Sequence, residues 1–503
     1  MIIDYLGHSE FLVEIKNKNG GKTRILCDAW LSDYAVGDMM GRNPTFKIDY
    51  NKIGKIDAIY LSHSHTDHVD PYTIVELFQN LTEKPVILLP ETMLFLVPIL
   101  EKYIEGIEVI ILKNKQEIEF NGVFIQGFVF ETLYLTNEDD VMGIFISNED
   151  EILFNEVDLV PPDTEEVHNY LYKVYAKRDY KNRIYIATRN ELEGNLKILD
   201  LPSSKRKAFA SEYKQGRVEE IEYEYYKHSE GYVDYKNIYG LKNFHKIFIG
   251  QGICYPKKID SQFLSFQIMS LPEEVIIENK FARNYNFSTH IDYLKAGEKY
   301  NIGHKIFEQQ EKIPYLYDFD FQEVQKNLGL DIKRKTLSVP MNDSTSDFIS
   351  QQTMILDVLN NRFLPYWLAN KEDCFKSLLL KSPDKCYRIM VRFGNGKKYD
   401  IVKIFQFHFG SHRFEIKDYN NQEFNEDYWA NDVEDFINGK QELYSNFLHT
   451  LTDGKGYRLW MCLGVNYLNN DLLYNKFNLH FDLALLGKTS NDFVEQYYKK
   501  LDI

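Results

Sequence analysis

The side chains best suited to chemistry lie in the sequence SHSHTDH at residues 62–68. It brings four metal-capable groups close together in a chain with only 13 histidines: His63, His65, Asp67 and His68. Alternate side chains of an extended or turning segment point the same way, so His63 and His65 can hold one metal ion. The chain then turns, and Asp67 and His68 can face a second ion. Imidazoles suit zinc or iron, and a carboxylate adds affinity for harder ions. The spacing therefore predicts a metal-binding loop.

The elements around this loop must present it at the edge of a sheet. Residues 56–61, IDAIYL, are predicted to form a buried strand that ends directly before the loop. Pro71 then begins a predicted helix, PYTIVELFQNL, because proline suits the first turn of a helix. Two short apolar strands flank His8, and the strand predicted at 22–26 ends just before Asp28. This alternation of strands and helices predicts an α/β domain in the first half of the chain.

Composition limits the partners and the location that can be expected. The chain has 503 residues and a formal net charge of −16, so phosphates would be repelled over most of its surface and nucleic acid is not an expected partner. No stretch of 18 uncharged apolar residues occurs and the N-terminus is not a signal peptide, so we expect a cytoplasmic protein without membrane contact. The five cysteines are scattered and form no CxxC pair, which argues against a disulfide framework.

The metal-binding loop also carries a family resemblance. Five segments occur in the same order as in the CMP-N-acetylneuraminate hydroxylase branch of the metallo-β-lactamase superfamily: RILCDAWLSDYAVGDMMGRNP, SHSHTDHVDPYTIVEL, ILFNEVDLVPP, FIGQGICYP and FSTHIDYLKAG. This resemblance implies an α/β protein with the αββα metallo-β-lactamase fold over residues 1–305. An insertion at about 159–243 would decorate that domain, and an additional α+β domain would follow it.

The resemblance extends the ligand set to residues distant in the chain. It implies that Asp158 bridges two metal ions and that His290 is the final histidine. It also implies that Glu131 is a carboxylate ligand where most of the superfamily has a histidine. Asp28 would support the loop from behind. The implied ligands are His63, His65 and Glu131 for one ion, Asp67, His68 and His290 for the other, and Asp158 between them.

Further residues receive roles from their place beside these ligands. Asp67 and Asp158 are the expected catalytic carboxylates. Lys280 and Arg283 lie close in sequence to the final histidine and are candidates for contact with a substrate phosphate. His245 competes for the role of that histidine, but it precedes a strand, and we interpret it as structural. We interpret His8 as a packing residue.

A pair of metal ions supports two kinds of chemistry. Zinc activates water for hydrolysis of a phosphodiester, lactone or amide, whereas iron activates O2. A carboxylate at position 131 favours iron or manganese over zinc. We therefore expect a non-haem diiron oxygenase that hydroxylates a small polar substrate of the nucleotide-sugar or amino-sugar type. The alternatives are a Zn- or Mn-dependent hydrolase using the same residues, and a non-catalytic binding protein on this fold.

The oxygenase interpretation requires a source of electrons. Members of the hydroxylase family carry a Rieske iron–sulfur domain at the N-terminus, and this chain lacks the Cys-x-His and Cys-x-x-His pairs of such a site. We therefore expect either a separate electron donor or a substrate that supplies its own electrons.

The second half of the chain is expected to form a separate module. Residues 306–344 are interpreted as a connecting helix followed by a polar linker. The segment 401–409 then alternates in strand fashion, with Phe405 and Phe407 on one face. An α+β accessory domain is predicted over 345–503. It has no catalytic motif, so we interpret it as a module for binding or for homodimer formation.

Overall fold

The computed structural model describes most of both halves of the chain. The described residues are 1–35, 41–42, 44–129, 141–159, 165–188, 236–250, 253–254, 310–320, 346–365, 368, 384–394, 401–408, 410–422, 424, 426–438 and 470–492, with parts of 275–302.

Most strands of the first 320 residues form two facing sheets. In chain order the strands are β1 (Ile2–Gly7), β2 (Glu10–Lys16), β3 (Lys22–Cys27), β4 (Gly41–Arg42), β5 (Thr45–Ile48), β6 (Ala58–Tyr60), β7 (Val86–Pro90), β8 (Val109–Leu112), β9 (Glu117–Phe120), β10 (Val123–Phe128), β11 (Gly143–Ser147), β12 (Glu151–Asn155), β13 (Asn182–Thr188), β14 (Phe244–Ile249), β15 (Ile253–Cys254), β16 (His290–Tyr293), β17 (Glu298–Asn301), β18 (Gln310–Lys312) and β19 (Leu316–Asp320). One sheet has the order β18-β17-β1-β2-β3-β6-β7-β8, and the other has the order β16-β14-β13-β12-β11-β10-β9. Two short ribbons, β4 with β15 and β5 with β19, lie outside them.

Helices cover the outer faces of the sheets. They are α1 (Tyr50–Ile53), α2 (Pro71–Asn80), α3 (Val97–Tyr103), α4 (Glu165–Tyr175) and α5 (Lys236–Tyr239), with a 3₁₀ turn at Glu91–Leu96. The predicted proline start of α2 is present, and Asp70 caps this helix by accepting hydrogen bonds from the backbone N–H groups of Tyr72 and Thr73. None of the helices described is long and apolar enough to cross a membrane.

Strand β3 shows how the sequence builds two apolar layers at once. Ile25 and Cys27 point into the core between the two sheets, and Leu26 points to the opposite face, into the core that includes α2 and α3. β3, β6, β7 and β8 pair in parallel, and strands that are buried on both faces are apolar throughout. The result is the αββα architecture that the sequence predicts.

The insertion predicted at about 159–243 is shorter than expected. β13 lies between β12 and β14 in the second sheet, and all of its residues are buried. It runs parallel to β12, and a parallel pair needs a crossover connection, which α4 supplies. Tyr175 of α4 packs edge-on against Phe145 of that sheet, with ring centroids 5.8 Å apart. The segment up to Thr188 therefore belongs to the core, and residues 189–235 lie outside the described part.

The connecting helix predicted from residue 306 is not present over residues 310–320, which form strands instead. β18 pairs with β17 in the first sheet, and β19 pairs with β5. The physical reason is Pro314, which a helix interior does not accommodate and which lies exposed in the turn between the two strands, with Ile313 and Tyr315 buried on either side of it. The N-terminal domain therefore extends to at least Asp320, and residues 321–345 lie outside the described part.

The C-terminal part forms a small sheet with flanking helices. Its elements are α6 (Phe348–Val358), a π-helical turn at Leu359–Phe363, β20 (Cys386–Phe393), β21 (Ile401–His408), β22 (Glu415–Asp418), β23 (Glu426–Trp429), α7 (Ala430–Ile437) and α8 (Asn470–Leu485). The sheet order is β22-β21-β20-β23. Phe405 and Phe407 are buried on one face, in agreement with the predicted alternation.

Helix α8 joins this part to the helical layer of the first sheet. Phe481 stacks on Tyr103 of α3, with ring centroids 5.3 Å apart and nearly parallel planes. Nδ1 of His480 lies 3.4 Å from the hydroxyl of Tyr72, in the first turn of α2. The C-terminal part thus packs on the helix that follows the metal-binding loop.

Candidate metal centre

The metal-binding loop, residues 61–70, leaves the carboxyl end of β6 and is fixed by its neighbour β3. The backbone N–H of Ala29, just after β3, donates to the carbonyl of His68 at 2.9 Å, and that of Asp70 donates to the carbonyl of Ala29 at 3.1 Å. Within the loop, the N–H of His68 donates to the carbonyl of His65 at 3.0 Å. The loop therefore contains a tight turn between His65 and His68.

Three carboxylates lie around the imidazole of His68. Its Nδ1 is 2.9 Å from Oδ2 of Asp28, and its Nε2 is 3.1 Å from Oδ2 of Asp158. A third carboxylate oxygen, Oδ2 of Asp67, is 3.7 Å from the same Nε2. The imidazole and the side chain of Asp28 are completely buried. Asp28 also accepts a hydrogen bond from the backbone N–H of Ser62 at 2.8 Å, so it holds both the start of the loop and the imidazole of His68.

His63 faces the same carboxylate from the other side. Its Nε2 lies 3.8 Å from Oδ2 of Asp158, and its Nδ1 is 2.9 Å from the hydroxyl of Ser62. The ring centroids of His63 and His68 are 4.1 Å apart, and those of His63 and His65 are 4.6 Å apart. The structure thus brings His63 and His68 to one aspartate that follows a strand of the second sheet, with His65 beside His63.

Asp158 reaches the loop because the two sheets meet at this end. It follows β12 after a turn in which Val157 has a φ of 55° and donates its N–H to Oδ1 of Asn155 at 3.2 Å. Beside it, the backbone N–H of Met142 donates to the carbonyl of Ser62 at 3.2 Å, and the hydroxyl of Tyr60 donates to the carbonyl of Met142. These bonds hold the second sheet against the metal-binding loop.

The cluster places imidazoles and carboxylates, groups that can carry opposite charges, together in a buried space. Burial alone would lower the pKa of His68, but the carboxylates of Asp158, Asp67 and Asp28 together raise it well above its usual value. Burial likewise opposes ionisation of Asp67, yet the nearby imidazoles, His68 first, lower its pKa. The pKa of His63 is lowered by burial and by its neighbouring histidines. The site therefore favours an ionised Asp67 next to a neutral His63.

The donor set fits metal ions. Nδ1 of His68 faces the carboxylate of Asp28, so loss of the proton from Nε2 leaves a lone pair directed toward Asp158, 3.1 Å away, where a metal ion can replace that proton. Two groups of atoms lie within 4.8 Å of one another: one from His63, His68 and Asp158, and one from His8, Asp67 and His68. Oδ1 of Asp158 is buried and has no hydrogen-bond partner among the described residues. The imidazole and carboxylate donors of the loop, together with Asp158, suit metal ions.

His290 is not brought to this cluster, and its predicted role as a ligand does not agree with its placement. It begins β16, where it pairs with His245 at the start of β14, whereas Asp158 follows the carboxyl end of the neighbouring parallel strand β12. The side chain of His290 is 54% exposed. The segment FSTHIDYL enters the sheet at its other end, and this could not be seen from the order of motifs alone.

Of the remaining predicted residues, those that the structure describes lie outside the cluster. Arg283 is exposed, and its Nε donates to the backbone carbonyl of Asn279 at 3.0 Å. Glu131 and Lys280 lie outside the described residues. His245, which we interpret as structural, lies beside His290, with ring centroids 6.0 Å apart.

His8 is the residue that the sequence interpretation undervalued. It follows β1 with a φ of 46°, is completely buried, and places Nε2 3.2 Å from Oδ2 of Asp67. The available signal was its position: like Asp28, it directly follows a strand of the first sheet, at the end from which the metal-binding loop also leaves.

The first part of the chain is similar in sequence to a family model, and shorter stretches are similar to two curated proteins. Residues 2–149 match the family model described as the Beta-lactamase superfamily domain. A protein of Mycolicibacterium smegmatis named as a Rieske 2Fe-2S iron-sulfur protein is 30% identical over 91 residues, which are 18% of this chain and 16% of that protein. A metal-dependent hydrolase of Thermofilum pendens is 37% identical over 65 residues, 13% of this chain and 25% of that protein. The alignments thus span a quarter or less of these curated relatives.

Solved structures with low sequence identity complete the comparison. CmlA, a diiron β-hydroxylase from Streptomyces venezuelae, is 10% identical with a TM-score of 0.33, covering 62% of this chain and 54% of that one. The metallo-β-lactamase fold protein YhfI from Bacillus subtilis is also 10% identical, with a TM-score of 0.31, covering 60% of this chain and 99% of that one. The two facing sheets with outer helices, together with the match over residues 2–149, define a metallo-β-lactamase fold with an additional C-terminal part.

Proposed function

We propose that this protein is a dinuclear metal enzyme in which Asp158 bridges two ions. The observation that carries the proposal is the position of Oδ2 of Asp158, 3.1 Å from Nε2 of His68 and 3.8 Å from Nε2 of His63. One carboxylate oxygen is therefore shared by histidines from the two halves of the loop. His63 and His65 would hold one ion with Asp158, and Asp67 and His68 would hold the other.

The chain's own residues prepare this site for cations. Asp28 accepts a hydrogen bond from the N–H at Nδ1 of His68 and so directs the Nε2 lone pair of that imidazole into the site. Ser62 fixes the orientation of His63 through Nδ1. Asp67 and Asp158 supply negative charge in a space that water reaches poorly, since both side chains are less than one tenth exposed. Bound metal ions would supply Lewis acidity for hydrolysis or, if they are iron, the capacity to activate O2.

Within this class we favour an oxygenase with iron. Three considerations support it: the resemblance of five ordered segments to the CMP-N-acetylneuraminate hydroxylase branch, a carboxylate at Glu131 where the superfamily commonly has a histidine, and the match to a protein named as a Rieske iron–sulfur protein. The substrate would be a small polar molecule of the nucleotide-sugar or amino-sugar type. A separate protein, or the substrate, would supply the electrons.

Metal content tests the dinuclear proposal. Wild-type protein loaded with Mn²⁺ or Fe²⁺ and freed of excess metal should contain about two ions per chain by elemental analysis. Asp158→Asn should lower occupancy at both sites, because it weakens the shared ligand. Asp292→Asn, which removes a carboxylate from β16 beside His290, is the matched control and should keep both ions. A wild-type content of one ion at most, unchanged by Asp158→Asn, would overturn the proposal.

Metal selectivity tests the choice of iron. Protein from iron-replete cells should contain mainly iron, and its oxidised form should show charge-transfer bands in the near ultraviolet that disappear on reduction and return with O2. Glu131→His should shift the preference toward zinc and abolish the return of these bands, while circular dichroism shows an intact fold.

A hydrolase with zinc or manganese is the second candidate, and one observation favours it. The relative from Thermofilum pendens is named as a metal-dependent hydrolase and is the more similar of the two curated relatives over its aligned length. If the purified protein carries zinc, if its reduced iron form does not react with O2, and if it cleaves simple phosphodiesters or lactones, this candidate replaces the oxygenase. A chain that binds no metal and tolerates His63→Ala would instead be a binding protein on this fold.

A further inference from the structure

Gly7 and His8 form a corner of the backbone that hydrogen bonds from both sheets hold in place. Gly7 has a φ of 121°, a conformation that other residues rarely adopt. The carbonyl of His8 accepts two hydrogen bonds, from the hydroxyl of Tyr5 at 2.8 Å and from the backbone N–H of Gly250 at 3.1 Å. Tyr5 belongs to the first sheet and Gly250 follows β14 of the second, so both sheets fix this corner.

A buried ion pair also stabilises the corner at Gly7 and His8. Arg42 and Glu10 are essentially inaccessible to water, and Nη1 of Arg42 lies 3.2 Å from Oε2 of Glu10. The guanidinium also donates to the carbonyl of Leu6 at 2.7 Å and to the carbonyl of Trp30. Leu6 lies two residues before His8, and the ring of Trp30 packs edge-on against the imidazole with centroids 5.4 Å apart. The imidazole is therefore held in one place.

The contact made by this imidazole differs from that of a metal ligand. Asp67 only accepts hydrogen bonds when ionised, so the 3.2 Å contact places the ring proton of His8 on Nε2. Nδ1 of His8 is buried and has no hydrogen-bond partner among the described residues, so an N–H there would be unsatisfied. Ligating histidines almost always donate through their second nitrogen, as His68 does to Asp28. The proton on Nε2 thus leaves His8 as a donor to Asp67.

We propose that His8 is a positioning residue of the second metal site, where it holds Oδ2 of Asp67, the oxygen that also lies 3.7 Å from Nε2 of His68, and so fixes the Asp67 carboxylate within reach of the ion. This inference rests on the dinuclear site proposed above. It gives His8 the role on Asp67 that Asp28 has on His68, because each follows a strand of the first sheet and each contacts the side chain of one candidate ligand in the loop. It also explains why hydrogen bonds from both sheets and a buried ion pair hold His8 in place.

Two substitutions separate the role of His8 from a general effect on folding. His8→Asn tolerates the positive φ at this position but is too short to reach Asp67. His8→Gln places an amide N–H near the position of Nε2 and can restore the donor. His290→Asn is the matched control, because it removes a histidine that the sequence assigned to the same metal ion and that the structure places elsewhere.

Titration with Co²⁺, followed by its visible absorption and by competition with a chelator, measures the affinity of each site without any substrate. His8→Asn should weaken the second site by about 10- to 100-fold, leave the first site unchanged, and still reach the wild-type stoichiometry when Co²⁺ is saturating. His8→Gln should recover most of the loss and the wild-type spectrum. His290→Asn should behave as wild type.

The outcomes distinguish the inference from the proposal on which it rests. Unchanged affinity in His8→Asn would overturn the role of His8. A His8→Gln variant that binds one ion fewer even at saturation would show that His8 is a ligand, which also overturns it. If the wild type itself binds a single ion, the dinuclear proposal fails. The inference about His8 is then decided by whether His8→Asn weakens that one ion.

Discussion

Asp28 and His68 form a buried pair in which a carboxylate oxygen lies 2.9 Å from the imidazole nitrogen that faces away from the candidate metal site. Asp28 adopts a φ of 57° directly after β3, and its second oxygen accepts the backbone N–H of Ser62. One side chain therefore links the first sheet to the beginning of the metal-binding loop and to its last ligand. The pair sets both the orientation of His68 and the course of the backbone that carries it.

The first prediction concerns this pair. Asp28→Asn tolerates the positive φ but offers one acceptor oxygen to two donors, so either Ser62 or His68 loses its partner. We expect metal affinity to fall by about 10- to 100-fold, measured by Co²⁺ titration, while the far-ultraviolet circular dichroism is unchanged.

Asp57→Asn is the control for the first prediction. Asp57 also accepts a backbone N–H, that of Arg24 at 2.9 Å, but it lies at the opposite end of β6. An Asp28→Asn variant that binds Co²⁺ as tightly as Asp57→Asn would show that Asp28 does not orient His68.

The sequence was informative where the chemistry is local. The loop at 62–68 follows a parallel strand, and its spacing alone placed His63, His65, Asp67 and His68 together. Asp158 was found by resemblance, and the structure brings it within 3.1 Å of His68 because β12 ends at the same side of the molecule as β6. A residue that follows a strand of either sheet at this side is a candidate for the site.

Sequence interpretation was weaker where the direction of a strand decides the outcome. His290 precedes the apolar residues of β16 and so lies at the far end of the second sheet, a fact fixed by its pairing with His245. The partner of a buried charge is also hidden from sequence. Arg42 and Glu10 are separated by 32 positions, and only the fold shows that they meet beneath His8.

The second prediction concerns the buried ion pair of Arg42 and Glu10. Burial lowers the pKa of Arg42 and raises that of Glu10, so each depends on the other for its charge. Arg42→Met leaves Glu10 without its cation and should lower the free energy of unfolding by about 3–5 kcal/mol in denaturant titrations. The double variant Glu10→Gln/Arg42→Met should recover part of the loss.

The exposed pair of Lys403 and Asp418, 2.6 Å apart on the C-terminal sheet, provides the comparison for the second prediction. Lys403→Met should cost less than about 1 kcal/mol. Equal losses at the two pairs would contradict the importance of burial for Arg42.

The third prediction tests how the C-terminal part is attached. Phe481 of α8 is completely buried and stacks on Tyr103 of α3. Phe481→Ala leaves a cavity between the two parts of the chain and should lower the free energy of unfolding by about 3–5 kcal/mol. Tyr474→Ala, on the same helix but 37% exposed, should change it by less than about 1 kcal/mol. If Phe481→Ala has as little effect as Tyr474→Ala in denaturant titrations, α8 does not contribute to the common core.

The last prediction concerns pH and the two histidines at the far end of the second sheet. His245 lies on β14 beside His290 of β16, with ring centroids 6.0 Å apart, and its Nδ1 is buried without a hydrogen-bond partner in the described part of the chain. Burial, with a smaller contribution from the charge of His290, lowers the pKa of His245 to about 4.

The folded protein therefore keeps His245 neutral at pH values where the same histidine in the unfolded chain, with a pKa near 6.5, is already protonated. Above about pH 6.5 both states are neutral and His245 has no effect on stability. As the pH falls from about 6.5 to 4, the unfolded state binds a proton that the folded state does not, so the fold loses stability. Allowing for partial exposure of the ring, we expect His245→Gln to gain about 1–2 kcal/mol relative to wild type when denaturant titrations at pH 7.5 and pH 5 are compared. His408→Gln, on the exposed side of β21, controls for the loss of a histidine. If the wild type and His245→Gln lose stability in parallel over this range, His245 is not the group responsible.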